Sequence, residues 1–333
     1  MRKLNQPFAR GVGGDARRSN RNLPNIGLDA GPGIGLEAGA NIGLDAGPGI
    51  GLEAGPGIGL EAGPNIGLEA GANPLPGWRE ALEKATMRYH CKGFIENDPI
   101  QIPHRFTRSI DIEVAGFFAA LLSWGNRTTI IRKSNELMRR MDDCPGDFVR
   151  RSSERECSSL SGFVHRTFQD TDLLFLVEFL RQHYSVYDSL EDAFLCAGDS
   201  RAVLEGRARL QTFHKRVFSV EYAPLRSRKH VPSPDRGSRC KRLNMFLRWM
   251  VRRDSKGVDF GLWKRISPAS LMMPVDVHVE RIALQWGLLT GRERGWHAVE
   301  ALTAHMRLLD PEDPVRFDYG LFSLGVEQRA RRM

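Results

Sequence analysis

Long apolar runs are missing from this sequence of 333 residues. No stretch approaches the roughly 18–20 apolar residues that a helix needs to cross a bilayer, so no membrane span is expected. The opening MRKLNQPFARGVGG is basic but lacks the apolar centre of a signal peptide. Cysteine is sparse as well. The five cysteines, Cys91, Cys144, Cys157, Cys196 and Cys240, contain no CxxC pair and no zinc or iron–sulfur spacing, which fits reduced thiols in a cytoplasm. GxSxG, HExxH and the glycine-rich phosphate-loop motif are all absent, so serine-hydrolase, zincin and P-loop chemistries have no motif behind them. Alternation of the strand type is almost absent too. A soluble, cytoplasmic, all-α protein without a metal or organic cofactor is the expectation.

Positive charge, by contrast, is in excess. Lys and Arg number 48 against 40 Asp and Glu, a formal charge of +8, and the sequence pI is near 9.5. Such an excess favours anionic partners, nucleic acid foremost. Glycine is concentrated near the start: between Asn25 and Ala72 an octad of the type NIGLDAGP or GIGLEAGP repeats six times. Each copy offers two sizeable apolar side chains against several flexible residues, too little burial to offset the entropy of ordering its backbone. Paired glycines in a nine-residue calcium-roll frame are lacking. Residues 1–77 therefore read as a disordered extension and residues 78–330 as one all-helical domain, with two helical lobes around a cleft as a possible arrangement.

Within that domain apolar residues recur with a helical period. In SIDIEVAGFFAALLSWGNR, residues Ile110, Val114, Phe117, Phe118, Leu121 and Leu122 share one face. TIIRKSNELMRRM, TDLLFLVEFLRQHY with Asp170 or Thr171 as cap, LEDAFLCAG, SRAVLEGRARLQTFHKRVFS, CKRLNMFLRWMVR, HVERIALQWGLL, WHAVEALTAHMRLLD and PVRFDYGLFSLGV follow as further helices. Asp310, Asp313 and Asp318 are expected to cap the last of these.

Between Arg226 and Arg253 the chain carries Arg226, Arg228, Lys229, Arg236, Arg239, Lys241, Arg242, Arg248, Arg252 and Arg253 against one acid, Asp235. On a helix beginning near Arg239, the residues Lys241, Asn244, Arg248 and Arg252 form a polar stripe opposite an apolar one. A solvated helix face would explain that stripe. So would phosphate binding, because HVPSPDRGS just upstream is a turn whose amides could cradle an anion. Farther on, Asp276 in LMMPVDVHVERIALQWGLLT stands where a helix N-cap is needed.

The segment PVDVHVERIALQWGLL also resembles the VDtHVxRvaxRLGL segment of the helix-hairpin-helix DNA glycosylase superfamily, which includes endonuclease III and the adenine and oxoguanine glycosylases. Val275, Asp276, His278, Val279, Arg281, Gly287 and Leu288 fit it. The resemblance implies that Asp276 is a catalytic carboxylate as well as a cap. Bifunctional members also use a nucleophilic lysine upstream, for which Lys241 is the candidate. Burial beside cationic neighbours such as Arg242 and Arg248 would ease the loss of its proton. The usual LPGVGxKTA hairpin is replaced by SPDRGSRCKRLNMF, no four-cysteine cluster closes the chain, and the lysine-to-acid separation is closer to that of the archaeal oxoguanine glycosylases. AGFFAALLSWGNRTTII is similar to the superfamily's LLxxiLSqQtt helix and turn, which wedges into DNA where a base is extruded. Trp124, Gly125, Asn126 and Arg127 occupy that turn here, without a glutamine. A packed core position would equally explain Trp124.

Over about residues 78–328 the chain further looks like a conserved bacterial family of unknown function, through NDPIQIPHRF, HRTFQDTDLLFL, CKRLNMFLRWMVRRDSKGVDFGLW, MPVDVHVERIA and DPVRFDYGLFSLG. The resulting expectation is a base-excision enzyme, an N-glycosylase with lyase action through Lys241 and Asp276. Asn126, Arg127, Arg236, Arg239, Arg242, Asn244, Arg248 and His278 would hold DNA, in preference to RNA. Two alternatives stand beside it: a non-catalytic nucleic-acid binder of the same fold, and a metal-dependent phosphohydrolase built on His165, Asp170 and Asp172. Capping and ion pairing are the plainer roles for those three and for Arg166 in the same HRTFQDTD cluster, as for His104 and Arg105.

Overall fold

A computed structural model describes residues 74–195 and 206–331. The octads and most of the extension expected over residues 1–77 lie outside the described residues. The helices run α1 Trp78–Tyr89, α2 Gly93–Glu96, α3 Ser109–Leu122, α4 Arg127–Arg140, α5 Pro145–Arg151, α6 Glu154–Cys157, α7 Asp170–Tyr184, α8 Gly206–Val217, α9 Lys241–Val251, α10 Val277–Gln285, α11 Trp296–Arg307 and α12 Asp318–Arg331. One small antiparallel hairpin, β1 Val164–His165 and β2 Phe168–Gln169, precedes α7. The described residues are thus all-α apart from that hairpin, and none of their helices is long and apolar enough to cross a membrane.

The periodicity expectation for α3 was a single apolar face, but α3 is buried on every side from Ile110 to Leu122. It is the central rod, packed by α4, α5, α9 and the short 3-10 turn Pro103–Arg105. A helix enclosed on all sides needs no polar face. Around it the aromatic side chains interlock: Phe117 meets Phe213 and Phe246, Phe194 stacks on Phe213 at 4.0 Å, and Trp263 stands edge-on to Phe246 at 5.3 Å. At the other end of the core α12 packs on α1 and α10. Gly325 permits the second of these contacts, because a Cβ there would collide with the His278 carbonyl.

Several element ends differ from the sequence reading. Of LEDAFLCAG, residues 196–198 lie outside the described residues and Leu190–Phe194 form a 3-10 turn, whose Glu191 side chain accepts the amides of Arg265 and Ile266 at 2.7 and 2.9 Å. Of SRAVLEGRARLQTFHKRVFS, residues 200–205 lie outside the described residues and α8 covers Gly206–Val217. The cap of α7 is Gln169, whose amide donates to Asp172 at 2.9 Å. Helix α10 stops at Gln285 because the Leu288 amide turns back to the Ala283 carbonyl at 2.8 Å, a Schellman closure. Before α12, Asp310 accepts the amides of Glu312 and Asp313 at 3.2 and 2.9 Å, while Asp313 and Asp318 are used as ion-pair partners instead of caps.

One acid inside the central helix was not singled out from sequence. The buried carboxylate of Glu113 accepts from the Tyr184 hydroxyl at 2.7 Å, the Leu190 amide at 2.9 Å, the Trp263 indole at 2.7 Å and the Ser189 hydroxyl. It ties α3 to α7 and to two connecting segments. Burial pushes its pKa up, against the pull of those donors. Glu113→Ala leaves several buried donors unpaired, and each such group costs about 1–3 kcal/mol. Calorimetry should therefore show a loss of about 3 kcal/mol or more; a loss below about 1 kcal/mol would contradict this account.

Candidate active site

Two helix beginnings create the site. Cys240, at φ 49°, turns the chain into α9 so that Lys241 is its first residue. The Lys241 amine lies back along the helix, 3.5 Å from Met245 Sδ. Asp276, in extended conformation, caps α10: its Oδ1 accepts the amides of His278 at 2.8 Å and Val279 at 3.0 Å. The other oxygen, Oδ2, stands 3.9 Å from Lys241 Nζ. The cap and the ion pair thus use different oxygens of one carboxylate.

Both residues line a cleft of about 980 Å³. Its rim carries Arg127, Arg166, Arg239, Arg242 and Arg329, against the acids Asp98 and Asp276. These cations are not equivalent. Arg239 is held by Glu280 through two hydrogen bonds, one of 2.8 Å. Arg242 turns inward to the Leu121 carbonyl and, at 3.4 Å, to that of Lys229; burial pushes its pKa down to about 10, which leaves it charged at neutral pH. Arg127 lies 5.2 Å over the Phe322 ring. Asn126 is exposed and caps α4 by accepting the Thr129 amide at 3.1 Å. His278 approaches the Gly325 carbonyl at 3.3 Å and stands edge-on to Phe322. Trp124 is half-buried in the wall of the cleft, not in the core.

Other members of the expected set lie elsewhere. Arg236 is exposed and does not line the cleft. Asn244, Arg248 and Arg252 are buried, so the polar stripe of α9 is neither a solvated face nor a phosphate grip beyond Lys241. Arg248 pairs with Asp259 at 3.3 Å and with Asp318, and covers the Tyr319 ring at 4.4 Å. Arg252 reaches Asp259 at 3.0 Å, Asp254 at 3.3 Å and Asp313 at 2.8 Å. Buried cations require such partners. Arg242 and Arg248 are consequently held by acceptors of their own, not left as bare charges beside the Lys241 amine.

The proposed metal ligands are also dispersed. Asp172 is enclosed with Ser227, Arg226 and His230; Asp170 accepts the Gly162 amide at 2.7 Å; His165 is near the Trp124 carbonyl. No group of three or more His, Cys, Asp or Glu among the described residues could hold a metal ion. His104 and Arg105 make ordinary contacts, to the Val258 carbonyl and to Asn135 and Asp143.

A family model described as a protein of unknown function, DUF2400, matches residues 98–327. The chain belongs to the DUF2400 family. No curated protein and no solved structure matches it. The DUF2400 match begins at Asp98 and spans both Lys241 and Asp276. It leaves out α1 and the octads.

Asp98, Phe322 and Arg329 were missed from sequence, and Arg166 was expected to serve in capping or ion pairing, not to line a cleft. Asp98 carries the faintest signal, an acid before proline that caps the 3-10 turn Pro99–Gln101. Burial pushes its carboxyl up, against the Ile100 amide and the charges of Arg248, Lys241 and Arg127. Asp318 lies just beneath the site, where burial outweighs Arg248 and Lys241 and lifts its pKa from 3.8 to about 6. In that window the folded chain keeps a proton that the unfolded chain releases, so this group's contribution to stability falls as pH rises from about 4 to 6. Urea unfolding of Asp318→Asn should lack that component, narrowing the wild-type change by roughly 1–3 kcal/mol. Parallel pH profiles for the two proteins would refute the assignment.

Proposed function

We propose that this protein is a DNA base-excision enzyme, an N-glycosylase with lyase action, in which Lys241 is the nucleophile and Asp276 the catalytic carboxylate. The observation that carries the reading is the 3.9 Å approach of Lys241 Nζ to Asp276 Oδ2 inside an arginine-rimmed cleft. The volume of about 980 Å³ lies at the upper end of ordinary small-molecule pockets, about 300–1,000 Å³. A single everted nucleotide is the substrate unit that the helix-hairpin-helix glycosylase resemblance implies.

The chemistry follows from the two groups. As the base departs with the electrons of its glycosidic bond, positive charge grows on the sugar ring, and a fixed carboxylate stabilises it. The Lys241 amine, having given up a proton, bonds to C1′. Ring opening yields a protonated Schiff base, which acidifies the C2′ hydrogen; loss of that proton expels the 3′ phosphate. Oδ2 of Asp276 is oriented toward the amine because Oδ1 is occupied by the helix amides. A hydroxyl cap would hold the helix and leave the sugar cation without an opposing charge.

Borohydride trapping on a duplex with an abasic site tests this. The wild-type chain should give a covalent adduct, and Lys241→Ala none. Asp276→Asn should melt as the wild type does, since Asn caps about as well as Asp, yet form adduct about 100-fold more slowly. An adduct that survives Lys241→Ala overturns the assignment. Salt-sensitive DNA binding with no adduct from the wild-type chain would favour a non-catalytic binder.

A further inference from the structure

Arg166 has no part in the chemistry above, yet it occupies an unusual place. The hairpin pairs Val164 with Gln169 and His165 with Phe168, so Arg166 and Thr167 alone make the turn. Arg166 has φ 57°, a left-handed backbone for which two-residue turns use Gly, Asn or Asp. The turn is pinned in that shape. His165 Nε2 lies 3.3 Å from the Trp124 carbonyl, Arg226 donates to the Thr167 carbonyl at 3.2 Å, and the Gln169 amide donates to Asp172 at 2.9 Å.

The side chain crosses from the hairpin to the cleft, where its guanidinium lies 5.1 Å from the centre of the Trp124 ring. Gly125, at φ 104°, leaves the space it fills: a Cβ there would collide with Arg166 Nη1. Arg166 is exposed and has no ion-pair partner among the described residues, whereas Arg239 has Glu280 and Lys241 has Asp276. One flat face of the guanidinium is spent on the indole. Its N–H edge remains, and that edge matches the geometry of phosphate oxygens.

We infer that β1–β2 is a finger that presents Arg166, backed by the Trp124 ring, to a backbone phosphate of DNA entering the cleft. This rests on the nucleic-acid reading above, and a strained backbone persisting at a ligand-facing position is what such a contact would produce.

Fluorescence anisotropy of a labelled duplex carrying a tetrahydrofuran abasic analogue, titrated with KCl from about 50 to 200 mM, measures the contact. Loss of one phosphate contact should flatten the slope of log affinity against log salt by about one unit, with affinity about tenfold lower near 0.1 M salt. Both Arg166→Ala and Arg166→Gly should show this. Arg166→Gly should also melt no lower than the wild type, because glycine suits the left-handed turn. Unchanged slopes in both variants, with the wild type binding normally, overturn the finger and leave the enzyme reading standing. A lower melting temperature for Arg166→Gly with a proportionate loss of binding would make Arg166 a structural residue and overturn it equally. Salt-insensitive or absent binding by the wild-type chain removes the nucleic-acid reading itself.

Discussion

Asp276 can face Lys241 with a whole oxygen because its other oxygen satisfies two helix amides. The geometry of the cleft follows from that division. The cap fixes where α10 begins, the start of α10 fixes the direction of Oδ2, and α9 must begin opposite for the amine to meet it. The positions of both helix starts are in turn set by packing: α9 against the central α3, and α10 against α12 at the Gly325 contact beside the cleft. At 3.9 Å the pair is close enough for strong Coulomb attraction, yet it makes no hydrogen bond. Neither group is consumed by the other, which leaves both available to a third molecule.

Below the pair lies a second electrostatic layer that has a different purpose. Arg248 and Arg252 are enclosed with Asp259, Asp313, Asp318 and Asp254, and both guanidinium groups approach Tyr319. His90 stacks on the same ring at 4.3 Å and pairs with Asp254 at 3.0 Å. Removing one member of such a buried cluster strands the charge of another, a penalty of about 3–5 kcal/mol. The cluster therefore locks α9 to α12 and to the segment after α9, holding the base of the cleft while its upper rim remains cationic. Arginine in one stretch of sequence thus serves two ends: buried and neutralised at Arg248 and Arg252, partly exposed at Arg239 and Arg242.

That difference marks the boundary of what the sequence discloses. Helical periodicity located α3, α4, α7, α9, α11 and α12 because each buries a recurring apolar set. Asp276 was legible as a cap from its place after Pro274 and Val275, and Lys241 only through the resemblance. Periodicity also grouped Lys241, Asn244, Arg248 and Arg252 on one face, and it was right about the face. It could not say what lies opposite, since a polar stripe looks the same whether it meets water or a buried aspartate from α12. Asp318 is 70 residues from Arg248, and Asp259, though only 11 and 7 residues past Arg248 and Arg252, returns to them from beyond the end of the helix, so no helical period encodes either pairing. Arg166 was visible only as one polar residue beside His165, Asp170 and Asp172, and its turn was hidden for another reason: strands of two residues leave no alternation to detect, and an arginine in a glycine position argues against the turn it makes.

The cleft can accordingly be described by which charges are still available. Glu280 neutralises Arg239, carbonyl oxygens satisfy Arg242, and Asp276 offsets Lys241. Arg127 and Arg166 instead rest on the faces of Phe322 and Trp124, contacts that orient a guanidinium without cancelling its charge. A polyanion approaching the cleft therefore meets an aromatic-backed arginine at the start of α4 and another at the hairpin. The amine and carboxylate line the same cleft. If the proposed reading holds, two oriented cations in the cleft of the amine and the carboxylate would suit a chain of phosphates better than a small neutral metabolite. On the proposed base-excision reading, that positive charge is what would attract a nucleic-acid strand, independently of the base it carries.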